Sequence, residues 1–66
     1  MSVAKTIKTY LFSNGISQTW LSNETKIPLP QLNLSLNEKR KLTLNEYEAI
    51  VRALSVSADT FMPHDN

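Results

Sequence analysis

Lys39-Arg40-Lys41 is the only run of three like charges in this 66-residue chain. The chemistry open to such a run is the neutralisation of phosphate, which gives affinity without sequence information. Taken alone, a basic run is more often a solvated turn than a binding site. Glu46 and Glu48 lie just beyond it, and the formal net charge is only +1. A second anion-friendly place is Gln18, which follows the capping residue Ser17. There the free amides and the positive end of a helix favour a phosphate. Other chemistry finds no footing. The chain has no cysteine, one glycine and one histidine, His64. Disulfides, thiolate metal sites and Gly-rich phosphate loops are therefore excluded. No Ser/His/Asp set or pair of catalytic carboxylates can be assembled, so the expectation is a non-enzyme with no cofactor, no metal and no small-molecule substrate.

The elements that must hold these residues follow from periodicity and caps. Val3, Ile7, Tyr10 and Leu11 recur at helical spacing, with Ser2 as N-cap and Asn14-Gly15 as the stop, which predicts a helix over 3–13. Ser17 caps a second helix over 18–25, with Leu21 inward, and Ile27 anchors the turn behind it. Pro28 and Pro30 suit a first helical turn and not an interior. A third helix is expected from 29–30 to 37, with Leu29, Leu32 and Leu36 on one face and Leu34 on another. The alternation from Leu32 to Leu36 also fits a strand, but no pairing strand is in sight. Thr43-Leu44-Asn45-Glu46 is a capping box. Behind it Leu44, Tyr47, Ile50, Val51 and Leu54 form the amphipathic stripe of a helix over 44–54. Ser57 caps a last short helical turn over 58–62 that folds Phe61 onto the core and ends at Pro63. Tyr10 and Tyr47 are expected in the core with wet hydroxyls. The reading is one all-α domain over 1–66, a compact bundle of five short helices with a mobile tail over 63–66. No stretch is apolar enough to span a bilayer and no signal peptide is visible, which points to a soluble intracellular domain.

Three pieces stand in a recognisable order: Gly15-Ile16-Ser17-Gln18-x-x-Leu21, then Asn37-x-Lys39-Arg40, then Leu44-x-x-Tyr47-x-x-Ile50-x-x-Ala53-Leu54-x-Val56-Ser57. In this order and spacing the chain resembles the helix-turn-helix DNA-binding domains of the lambda-repressor/Cro type, the XRE family, over residues 7 to 61. The family commonly has glycine where Lys26, Glu38 and Ser55 stand, and an apolar residue where Ser35 stands. The resemblance implies that the second helix lies across the DNA backbone and the third enters the major groove. It places Gln18, Thr19, Asn37, Lys39, Arg40 and Lys41 at phosphates. It sets Leu29, Pro30, Gln31, Asn33 and Leu34 at base edges. Gln31 and Asn33 alone among these can make paired hydrogen bonds, which suit adenine; the leucines and the proline can meet thymine methyls or exclude other groups, and Leu29 serves equally as core. Trp20 and Thr19 face outward in the family pattern, Trp20 as a rim residue packed on the first helix or as a partner hot spot.

The function implied is that of a small Cro-like repressor of a phage or mobile element, acting on an operator in duplex DNA as a pair of subunits, in the bacterial cytoplasm on the nucleoid. The alternative is a protein-interaction module on the same fold, an antirepressor or an antitoxin-type partner. The apolar third helix and small net charge favour the alternative; Gln18 and the basic run favour the repressor.

Overall fold

A computed structural model describes residues 2–62; the expected stop at Pro63, His64 and the tail over 63–66 lie outside the described residues. Four helices follow one another in the order α1 (Val3–Ser13), α2 (Gln18–Thr25), α3 (Leu29–Leu36) and α4 (Leu44–Leu54), with no strand among the described residues. The caps explain where each begins. Ser2 accepts from the Lys5 amide and Ser17 from the Trp20 amide. Pro30 sits in the first turn of α3, where a missing N–H costs nothing. Thr43 and Glu46 close both halves of the capping box at the start of α4.

The ends are as regular as the starts. After α1 the Gly15 amide donates to Phe12 and the Ile16 amide to Leu11. After α3 the Glu38 amide donates to Ser35 and the Lys39 amide to Leu34; after α4 Ser55 and Val56 repeat the pattern onto Arg52 and Val51. This double bond closes a helix through one left-handed residue. Gly15 takes that conformation freely at φ 64°, but Glu38 (62°) and Ser55 (58°) carry side chains, as does Lys26 (65°) behind α2. A side chain in the left-handed region costs roughly 1 kcal/mol. These are the three positions at which the resembling family commonly has glycine.

The helices are short, and none could persist alone. What holds them is one core. Ile7 and Leu11 of α1, Leu21 of α2, Leu32 and Leu36 of α3, and Ile50 and Val51 of α4 are buried, with Ile27 filling the α2–α3 turn. Helix α2 packs on α3 and α4, and α1 packs on α3. Phe61 folds back as expected and meets Tyr10 edge-on, with ring centroids 5.3 Å apart.

Several expectations are corrected. The fifth helix is absent: residues 58–62 form turns. Thr60 and Met62 donate to carbonyls three residues back, at Ser57 and Asp59. The Ala58 carbonyl, which a helix would offer to Met62, accepts instead from the Tyr47 hydroxyl. The Tyr47 hydroxyl, expected to meet water, is bonded to backbone there. Helix α3 closes where expected, at Leu36 with Asn37 as its cap. Leu29 does not join the buried stripe of Leu32 and Leu36; it opens α3 at the surface, 39% exposed. Leu44 leaves the α4 stripe too, because the first helical position points away from the core, and it is 67% exposed.

Candidate nucleic-acid interface

Helix α3 divides cleanly. Leu32, Ser35 and Leu36 face inward, while Leu29, Pro30, Gln31, Asn33 and Leu34 are exposed. The exposed group is the whole of the base-edge set read from the sequence. The structure brings it into register with the head of α2 through one bond: the Asn33 carboxamide donates to Gln18 Oε1 at 3.3 Å. The Asn37 carboxamide donates in turn to the backbone carbonyl (2.9 Å) and the side-chain oxygen (3.3 Å) of Asn33. Asn37 itself accepts from the Lys8 ammonium. A surface chain of amides therefore runs from α2 across α3 to α1. Asn33 is engaged at both ends of its carboxamide, whereas the Gln31 side chain forms no hydrogen bond within the described residues.

The sequence gives no hint of Lys8. It lies on the exposed side of α1 and meets a residue 29 positions away. Thr19 is exposed and follows Gln18 at the head of α2. Trp20 is 42% exposed and borders a shallow groove with Gly15, Ile16 and Ser17 of the α1–α2 turn.

The basic run is not three equivalent cations. Arg40 turns inward and grips the Glu46 carboxylate with two parallel bonds, 3.0 Å to Oε1 and 2.9 Å to Oε2. Its Nη1 also donates to the Ser35 hydroxyl at 2.8 Å. Ser35 is fully buried, so this bond gives a partner to a hydroxyl shut off from water. Glu46 does two jobs at once, because its Oε1 also accepts from the Thr43 amide at 3.0 Å. The Arg40 hydrogen bonds hold the Glu46 carboxyl below its ordinary pKa, with the Thr43 amide adding to the effect against partial burial. Arg40 is held above its ordinary value by the same partner. Lys39 and Lys41 remain exposed without an ion pair or side-chain hydrogen bond, and they border a groove with Ser2, Val3 and Ala4 at the start of α1. Spacing could not reveal the Arg40–Glu46 pair: the partners are six apart across a turn, where helical periodicity has no say.

Among the described residues no group of three or more His, Cys, Asp or Glu is placed to hold a metal ion, and no helix is long and apolar enough to cross a membrane. No family model, curated protein or solved structure matches this chain.

Proposed function

We propose that this chain is a sequence-specific duplex-DNA-binding regulator, a small Cro-like repressor in which α2 and α3 act as a helix-turn-helix and α3 enters the major groove. The observation that carries the reading is the Gln18–Asn33 bond. It ties the head of α2 to the outer face of α3, as a motif that clamps backbone and groove together requires. Support comes also from the left-handed turns at Lys26, Glu38 and Ser55, which fall where the resembling family uses glycine. Lys39 and Lys41 supply phosphate contacts, with Gln18 and Thr19 at the opposite flank; Arg40 positions the turn that carries the two lysines. Two subunits on an operator complete the picture.

The test is a titration of salt against binding to random duplex DNA. Lys39→Ala and Lys41→Ala should each flatten the slope of log affinity against log salt by about one, at unchanged melting temperature. An unaltered slope in both variants removes the turn from the DNA. A specific observation keeps the partner-binding reading in view: Phe12 on α1 is 88% exposed. If no duplex binds even at low salt, that aromatic is the place to look for a protein partner.

A further inference from the structure

Resting on the DNA-binding reading above, we infer that the outer face of α3 selects A·T base pairs chiefly through the C5-methyl group of thymine, with Leu34 and Leu29 as the methyl-reading residues and Gln31 as the one free hydrogen-bonding reader. The argument is one of elimination along a single helix. Guanine is read in the major groove by Arg or Lys at O6 and N7, and cytosine by a carboxylate at N4. Helix α3 carries no ionised side chain between Leu29 and Leu36. Ser35 is fully buried with its hydroxyl bonded to Arg40, so it offers nothing to a base. Asn33 is bonded to Gln18 and Asn37, so a paired contact to a base must first break those bonds, a cost that Gln31 does not carry.

What remains outward is Leu29, Pro30, Gln31 and Leu34, with the two leucines 39% and 43% exposed. A carboxamide pairs with the N6 and N7 of adenine, and the adjoining thymine is the one base with a methyl group in that groove. A leucine laid against that methyl gains by burial. Laid against the cytosine amino group, it strips a donor of water and gives nothing back. Selection thus has an attractive and a repulsive half. The charge beside the face favours DNA as its occupant: the cations Lys39 and Lys41 stand unpaired just past the C-terminal end of α3, suited to the phosphates on one flank of a groove.

The experiment measures affinities of the full chain for alternating poly(dA-dT), poly(dA-dU) and poly(dG-dC) duplexes across a range of salt. Uracil differs from thymine only by the missing methyl. The expected result is binding about tenfold or more tighter to dA-dT than to dG-dC. Replacing thymine by uracil should weaken binding about fourfold for each methyl covered. In Leu34→Ala, an exposed site where the fold is retained, the dT/dU ratio should fall toward one with the salt slope unchanged. Equal affinity for dT and dU duplexes at the same salt slope overturns methyl readout and leaves DNA binding intact. A dT/dU ratio that survives in both Leu29→Ala and Leu34→Ala also overturns it. No binding to any duplex at low salt overturns the DNA-binding reading and this inference together.

Discussion

Two polar networks cross α3 on opposite sides. Arg40, Glu46, Ser35 and Thr43 are joined by bonds of 2.8–3.1 Å, two of them a parallel fork between ions, and they close over a fully buried hydroxyl. Lys8, Asn37, Asn33 and Gln18 are joined largely by neutral amides at the surface, and the Gln18–Asn33 link is 3.3 Å long. Charge-assisted forks of the first kind are roughly twice as strong as neutral bonds. They also leave an uncompensated group behind when one partner goes. Surface amides of the second kind exchange readily with water, or with any ligand that offers better partners. The lesson is a division of labour: the first network fixes the turn after α3, and the second holds its side chains in place until something else takes them.

The sharpest way to break this contrast is at Glu46. Glu46→Ala removes the fork to Arg40 and half of the capping box together. It should destabilise by about 2 kcal/mol, as for hydrogen bonds to charged groups. In a domain of this size that lowers the melting temperature by roughly 8–16 °C. A drop of only a degree or two would show that the fork is ornamental. The same carboxylate gives the contrast a pH signature. Its folded pKa lies below the ordinary 4.5. Its contribution is therefore fully present above that value and is lost as pH falls through the folded pKa. Melting temperature should fall on acidification below about pH 5, and Glu46→Gln should flatten that fall; parallel curves for the two proteins would refute the linkage.

Affinity separates the networks next. Gln31→Ala should cost about 1–3 kcal/mol on a preferred duplex and much less on random DNA. Asn33→Ala, removing a residue bonded within the protein, should weaken both duplexes alike. The reverse pattern, with Asn33 governing preference, would mean that its bond to Gln18 yields to a base on binding. A smaller effect is expected at the left-handed cap. Glu38→Gly removes side-chain strain and a negative charge from the C-terminal end of α3, against the greater freedom of glycine in the unfolded chain. The net gain should be about 0.5–1 kcal/mol. A lowered melting temperature would place Glu38 outside the left-handed region. The smallest change should come from Gln18→Ala, with stability moved by less than about 0.5 kcal/mol in either direction.

Local rules made four helices legible. Ser2, Ser17 and the Thr43–Glu46 box mark starts, and Gly15 marks a stop, because caps act over three or four residues. The special turns at Lys26, Glu38 and Ser55 could be located only by resemblance, since none of these residue types announces a positive φ. Interactions that close across turns were not legible. Arg40 looks like a free cation in the sequence because nothing local says that Glu46 and the Ser35 hydroxyl converge on it. Asn33 looks like a free reader for the same reason. The segment over 58–62 looks helical until Tyr47, eleven residues earlier, takes its first carbonyl.

Trp20 gives this molecule an optical consequence. It is the sole indole in the chain, it is neither sealed in the core nor fully wet at 42% exposure, and it lies two residues from Gln18. Its emission therefore reports folding without any dye or tag. Unfolding strips away the groove of Gly15 and Ile16 and shifts the spectrum toward that of hydrated indole. On the proposed DNA-binding reading, a duplex seated across the head of α2 would change the local field and the quenching of the same ring, so one fluorimeter cell would follow folding and occupancy on unlabelled protein.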